Sequence, residues 1–477
     1  MTGQEFRKYA HEIVDWMADY IQDVEQFPVR PSVGPGDILG RLPRHPPAGG
    51  ETFAAIFADF RNTILPGMTH WQHPSFFAYF PANNSPPSIL AEMLTATLGA
   101  QCMSWATSPA ATELEERMMQ WLGEMTGLPS SFTGVIQDTA STATLCAILT
   151  ARERKSEFRV NEEGLHRERR FTVYSSTETH SSIERAAKIA GLGAASVRKL
   201  PVDDRFAMIP EELERAIARD IAEGFDPLCA VATIGTTGST AIDPLKRIGE
   251  ICARHAIWVH VDAAYAGTAL LLPELRWMID GIELADSFVF NPHKWMFTNF
   301  DCSAYFVRDA GLLVRTFEIL PEYLKTPERE RVHNYRDWGI QLGRRFRALK
   351  LWFVIRSFGV EGLRERIRSH LRYAQSFARN VGREPDFEIM APAPLAAVCF
   401  RYHPAGIDDP AALDSINSAL LAELNRSGRM FITHTRLNGR MTLRFVASQT
   451  NVAQRHVDAA WDLIRTVARS RASAGSA

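Results

Sequence analysis

IWVHVDAAYAG, residues 257–267, reads as an apolar strand that stops on an acid. In an extended chain successive side chains face opposite ways. Trp258, His260 and Asp262 therefore share one side, and Ile257, Val259 and Val261 the other. Five more short runs look alike: FTVYSS (171–176), ASVRKLP (195–201), CAVATIG (229–235), SFVFNP (287–292) and CSAYFV (302–307). Helical patterns separate most of them. One is sharply punctuated, with Ser108 as a cap, Pro109 in the first turn and ATELEERMMQWLGEMTG ending on Gly127. This alternation over residues 81–360 predicts an α/β unit, a largely parallel central sheet with helices on both faces. Ligands in such sheets bind beyond the carboxyl ends of the strands.

The flanks read differently. Phe6, Tyr9, Ala10, Ile13, Met17, Tyr20, Ile21 and Val24 follow helical spacing, and a Pro- and Gly-rich loop and a short helix near 51–65 complete an N-terminal segment, 1–80. Residues 361–477 carry helices at each end and two strand regions, and Asn438-Gly439 between alternating strands signals a hairpin. They predict a smaller α+β domain.

Composition narrows the function classes. The 477 residues are 46% hydrophobic and 23% charged, as in an ordinary globular protein. A net charge of −2 gives no long-range attraction to nucleic acid or an anionic membrane. The six cysteines form no C-x-x-C pair and show no zinc-ligand spacing, so they read as buried thiols in a reducing compartment, with no metal. No apolar run reaches the length of a membrane span, and the first residues lack a signal peptide's apolar core. A cytoplasmic protein is expected.

Lys294 lies in FNPHKWMF (290–297), between His293 and Trp295 and just past a strand. A charge in such company either snorkels to water or is kept for chemistry. Asp262 needs a partner: a protonated ring nitrogen, a helix start or a cation. His180, in TETHSSIERAAKIAG (177–191), sits where a strand turns into a helix, and it can cap that helix or lie flat on a planar ligand. Thr139, Ala140 and Ser141 open a helix in QDTASTATLCAI (137–148). Their N–H and hydroxyl groups make either an ordinary cap or a phosphate cradle. IGTTGSTAIDPL (234–245), with Thr237, is a second hydroxyl-rich turn. Taken together, a phosphate cradle, an acid, a flat imidazole and a buried amine fit pyridoxal 5′-phosphate, held through its aldehyde by the lysine.

HPSFFAYFPA, SWATSPAATELE, HVDAAYAG, NPHKW and LGRRFRALKLWFVIRSFG together make the chain resemble the group II pyridoxal-phosphate-dependent amino-acid decarboxylases, most of all the aromatic-L-amino-acid decarboxylases. The resemblance covers nearly the whole chain. It implies the aspartate-aminotransferase-like fold (fold type I) and a homodimer with active sites at the interface, the N-terminal segment packing on the partner. It implies that Lys294 forms the Schiff base, Asp262 meets the pyridine nitrogen, His180 stacks on the ring and Ala264 packs on its other face. Ala140, Ser141, Asn291 and His293 look like phosphate ligands, with Thr139 and Thr237 near. Trp71, Tyr79 and Phe80 resemble an aromatic wall beside the breaking bond. Tyr323, in LPEYLKTPERERVHNYRDW (320–338), stands where the family's proton donor stands, on a mobile catalytic loop. Relatives with phenylalanine there make aldehyde instead.

Some positions depart from the animal enzymes. Asp138 replaces a glycine in the phosphate turn, and its carboxylate is expected to point away from the phosphate. Ala82 stands where threonine is common, and Gln101 and Met103 replace two apolar residues, one of them aromatic, in a substrate-binding segment that normally reaches into the partner's pocket. Gly343 matches relatives that accept bulky rings. The implied reaction is carboxy-lyase chemistry on an aromatic L-amino acid. Tryptophan or dihydroxyphenylalanine is favoured, and phenylalanine or tyrosine is possible. An aldehyde synthase or a decarboxylase of a non-aromatic amino acid are the alternatives.

Overall fold

The computed structural model of the chain describes residues 1–165, 169–319 and 331–474. It divides into two compact units. The larger comprises Ala82–Ala374 and Ala391–Ala397, the smaller Met1–Pro81, Gln375–Met390 and Val398–Ala477.

The larger unit is built on a seven-stranded sheet. Its strands are β1 (Thr133–Gln137), β2 (Phe171–Ser176), β3 (Val197–Leu200), β4 (Asp226–Thr233), β5 (Trp258–Asp262), β6 (Ser287–Phe290) and β7 (Ser303–Val307), in the order β1-β7-β6-β5-β4-β2-β3. β3, β2, β4, β5 and β6 run parallel. β7 is antiparallel to both β6 and β1, so β1 points the same way as the parallel set. The carboxyl ends of β1, β2, β4, β5 and β6 therefore share one edge with the start of β7. Register pins that edge: Asp262 lies opposite Thr233 and Val289, and Gln137 opposite Ser303.

All six runs read from the sequence are strands. The seventh, β1, went unread because TGVIQ is short, has a glycine inside and lacks alternation. The site is tight: a Cβ on Gly134 would come within 2.3 Å of Met119 Cε and 2.9 Å of the Phe306 ring, and both would have to shift. The alternation read in β5 holds. Trp258 Nε1 and His260 Nδ1 both meet Ser287 Oγ, at 2.9 and 2.8 Å, on the side of the Ala140–Ser156 helix. That helix packs Leu145, Ile148 and Ala151 against Val173, Cys229, Val231 and Trp258. The helices Pro210–Ala222 and Leu245–Arg254 pack on each other and on β4. Pro109–Thr126 ends in left-handed Gly127 as expected, but the Ser108 hydroxyl turns to the Gln101 carbonyl instead of capping the helix.

The smaller unit holds a four-stranded sheet in the order β10-β11-β9-β8: β8 (Phe387–Ile389), β9 (Ala397–Tyr402), β10 (Thr433–Leu437) and β11 (Arg440–Val446). Asn438 (φ 49°) and Gly439 (φ 76°) make the β10–β11 turn, both with the positive φ that a tight hairpin of this hand demands. The helix Gly3–Asp23 opens with a Thr2/Glu5 capping box. Its Tyr9 and Trp16 meet the rings of Phe53, Phe57 and Phe60. The helix expected near 361–380 is part of a longer one, Arg347–Arg383, interrupted at Gly359 (φ 65°).

Candidate active site at the carboxyl edge of the sheet

β6 leads into a four-residue helix, Pro292–Trp295, that carries Lys294. Its surroundings hold it from three directions. Trp295 is fully buried, stacks on Tyr265 at 4.6 Å between ring centres and donates Nε1–H to His370 Nδ1 at 2.9 Å. Asn83 donates its side-chain N–H to the Lys294 carbonyl at 2.6 Å and its backbone N–H to the His293 carbonyl at 3.1 Å. Asn291 accepts the Ser303 hydroxyl at 2.7 Å, which orients its amide. The lysine backbone is thus fixed by core packing, and the side chain is partly exposed. The aromatic neighbours that make the motif look unsuited to a charge are its anchor.

His293 is buried. Its Nδ1 accepts the Cys302 N–H at 2.9 Å, so the ring proton resides on Nε2. Burial pushes its pKa down to about 3, with Lys294 adding to the effect. It is a neutral donor at ordinary pH. His180, after β2, is locked alike. Its Nδ1 accepts the Ser182 N–H at 3.1 Å and lies 2.9 Å from the Ser182 hydroxyl, again leaving Nε2 as the donor. The helix start is therefore served by the imidazole rather than by a serine. The residue is exposed in the single chain, yet desolvation of the ring lowers its pKa, Asp262 opposing and Lys294 reinforcing. His180, Asp262 and Lys294 each end or follow a strand at the same edge, and the charges of the latter two act on the His180 ring.

Asp262 ends β5 and is buried. Its Oδ1 accepts the Ala264 N–H at 3.0 Å, and the Ala264 carbonyl accepts the Asn291 N–H at 3.0 Å. Behind it His260 is held between Ser287 and Thr144, and burial lowers its pKa to about 4.

At the β1 end Thr139 caps the Ala140–Ser156 helix, its hydroxyl accepting the Thr142 N–H at 3.4 Å. Ala140 and Ser141 follow as the first helical residues, whose N–H groups have no acceptor inside the helix. The Asp138 carboxylate accepts the Thr139 N–H at 2.5 Å and the Gln341 side-chain N–H at 3.0 Å. Thr237 stands exposed on the turn after β4, which begins at left-handed Gly235. A Cβ on that glycine would come 2.8 Å from Ala266 Cβ.

The remaining expected residues fall in three places. Gln101 and Gly343 are adjacent: Gln101 Oε1 accepts the Arg344 N–H at 2.7 Å, and its Nε2 lies 3.1 Å from where a Gly343 Cβ would be. The Met103 carbonyl accepts the Arg336 N–H, and Ala82 precedes Asn83. In the smaller unit Trp71 stacks with Tyr79 at 5.8 Å, and the Arg444 guanidinium lies over Phe80. Tyr323 lies outside the described residues. The sequence reading missed Asn83, Ser182, Ser303 and Gln341, which orient the others. Asn83, in the polar interruption PANNSP of an aromatic stretch, carried the one available hint.

The donor set suits one kind of ligand. A helix start with hydroxyls suits a phosphate, a buried carboxylate suits a protonated ring nitrogen, a neutral Nε2–H suits a ring substituent, and an amine suits an aldehyde. Fold and site together define an aspartate-aminotransferase-like pyridoxal-phosphate enzyme. Residues 35–403 match the family model described as the pyridoxal-dependent decarboxylase conserved domain, and the chain belongs to that family. Its cofactor is pyridoxal 5′-phosphate and its chemistry that of a carboxy-lyase. It is 43% identical to a phenylacetaldehyde synthase of Arabidopsis thaliana, over 98% of this chain and 96% of the relative. It is 42% identical to a tyrosine decarboxylase of Petroselinum crispum, over 98% and 93%. Among solved structures, Catharanthus roseus tryptophan decarboxylase in complex with L-tryptophan superposes with a TM-score of 0.93 at 38% identity, covering 98% of this chain and 99% of that one.

Proposed function

We propose that the protein decarboxylates an aromatic L-amino acid to its amine, with Lys294, Asp262, His180 and Tyr323 as the working residues. The observation that carries this is the convergence of Lys294, Asp262 and His180 on one sheet edge beside the Ala140–Ser156 helix start. The cofactor, once bound, supplies an electron sink for the pair left behind by CO2. Asp262 keeps a proton on the ring nitrogen, which makes the sink effective. His180, neutral with its proton on Nε2, offers a hydrogen bond without adding a positive charge. Lys294 would supply the amine that holds the cofactor. Ala140, Ser141, Asn291 and His293 hold the phosphate through N–H donors. Tyr323 returns a proton to the substrate carbon.

Tryptophan or dihydroxyphenylalanine is the favoured substrate, because Gly343 matches relatives that accept bulky rings. Tyrosine and phenylalanine differ from them by a few atoms, a difference that discriminates modestly. The working form is a homodimer, a reading supported by the family resemblance. Cytoplasmic residence is supported by six cysteines that are all buried and joined in no disulfide. No helix among the described residues is long and apolar enough to cross a membrane.

The deciding experiment feeds the holoenzyme tryptophan, dihydroxyphenylalanine, tyrosine, phenylalanine and glutamate separately, and follows amine, aldehyde, CO2 and peroxide. Amine and CO2 from an aromatic substrate are expected. Amine from glutamate alone would overturn the aromatic reading. A second reading, aldehyde synthase, is favoured by the phenylacetaldehyde synthase relative. Tyr323 speaks for the amine, and Tyr323→Phe is expected to divert most product to aldehyde. An unchanged amine yield would remove Tyr323 from its role.

A further inference from the structure

The phosphate turn carries a negative charge where a helix start ordinarily gathers positive potential. Asp138 lies one residue before the Thr139 cap of the Ala140–Ser156 helix. Both of its carboxylate oxygens are engaged. Oδ1 accepts the Thr139 N–H at 2.5 Å and its hydroxyl at 3.2 Å, and Oδ2 accepts the Gln341 amide at 3.0 Å. Ser303 Oγ lies 3.2 Å from the Asp138 carbonyl. The Arg347 guanidinium feels the Asp138 charge but is bound to Asp301 at 2.8 Å.

Gln341 belongs to a segment bonded repeatedly to the same region. Gln137 donates its amide to the Trp338 carbonyl at 2.9 Å. Arg344 donates its backbone N–H to Gln101, and its carbonyl accepts the Cys102 N–H at 2.9 Å. The turn expected at the phosphate and the residues expected beside the substrate ring, Gln101 and Gly343, thus belong to one hydrogen-bonded block. Arg344 also pairs with Glu115 at the base of the block, and Asp138–Gln341 is the side-chain tie nearest the turn itself.

We propose that Asp138 is a positioning residue, which ties the phosphate turn to the 338–344 segment through Gln341 while its charge weakens the turn's hold on the cofactor phosphate. The proposal rests on reading Thr139–Ser141 as the phosphate turn. Tie and charge act in opposite directions. Asp138→Asn keeps an acceptor for the Thr139 N–H and a polar partner for Gln341 but removes the charge. Asp138→Ala and Gln341→Leu remove the tie.

The test is the dissociation constant of pyridoxal 5′-phosphate for each apoenzyme, read from the visible absorbance band that requires Lys294. Pyridoxal, without the phosphate, is the parallel ligand, and the melting temperature of each variant is taken alongside. Asp138→Asn is expected to bind pyridoxal 5′-phosphate roughly three- to tenfold more tightly, as one unit charge near a phosphate implies, and pyridoxal unchanged. Gln341→Leu and Asp138→Ala are expected to bind the phosphorylated cofactor roughly three- to tenfold more weakly. A role confined to fold stability predicts that all three variants weaken together, and that result overturns the proposal. Unchanged constants in all three overturn it as well. Loss of the phosphate preference in the wild type would instead strike the reading of the phosphate turn itself.

Discussion

His180 and His293 stand on the same edge of the same sheet, and both accept a backbone N–H at Nδ1 that leaves the proton on Nε2. Their surroundings differ. His293 is enclosed, and burial takes its pKa to about 3. His180 is exposed in the single chain and held by Ser182 two residues on. The enclosed ring is part of the frame that carries Lys294. The open ring is oriented by a short local clasp and presents a face. Fixing a tautomer therefore needs one hydrogen bond in either place, whereas keeping the ring neutral over a wide pH range needs the core.

The comparison breaks most severely at the lysine shared by both surroundings. Lys294→Ala is expected to lower turnover by roughly 10⁴-fold or more and to erase the visible cofactor band, checked by steady-state assay and absorbance. Acid should act on the enclosed ring. Below its ordinary pKa near 6.5 the unfolded chain protonates His293, while the folded chain stays neutral until about pH 3. The unfolded state then binds more protons, so the stability due to this neutral ring is full above about pH 6.5 and is lost as pH falls. One such histidine amounts to about 2 kcal/mol by pH 5. His260 and His370, lowered to about 4 and about 3, add the same trend. Melting temperature is expected to drop between pH 7 and pH 5, and less so in His293→Asn, which keeps an acceptor for the Cys302 N–H.

Smaller effects refine the contrast. Asn83→Ala leaves the Lys294 carbonyl without its side-chain donor, a loss of about 1–3 kcal/mol. Turnover is expected to fall roughly tenfold with a lower melting temperature. Ser182→Ala removes the hydroxyl partner of the open ring but leaves the backbone N–H. Turnover is expected to fall only about two- to threefold, with stability unchanged within about 0.5 kcal/mol. A larger loss from Ser182→Ala than from Asn83→Ala would invert the contrast.

What the sequence discloses follows what is local. Alternation along 257–262 set the strand and its faces, and the small residues after Asp262 marked its end. The placement of Lys294, Asp262 and His180 was legible because each ends or follows a strand, and a parallel sheet gathers such positions at one edge. β1 was illegible because its glycine answers to the Phe306 ring of the neighbouring strand β7, a contact made across the fold. Asn83 was illegible for the same reason, bonding a residue 211 positions away. Asp138 was visible in the sequence as an acid beside the hydroxyl-rich turn. Its attachment to Gln341, 203 positions on, is a property of the fold alone.

The stack of Trp295 on Tyr265 has an optical consequence. An indole sealed from water, adjacent in the chain to the lysine proposed to hold the cofactor, emits at short wavelength, and a conjugated, absorbing ring bound at that lysine would accept its excitation. Its emission would dim as cofactor enters and brighten as it leaves. With the other nine of the chain's ten tryptophans replaced, Trp295 would serve as an occupancy gauge of the site with no added label.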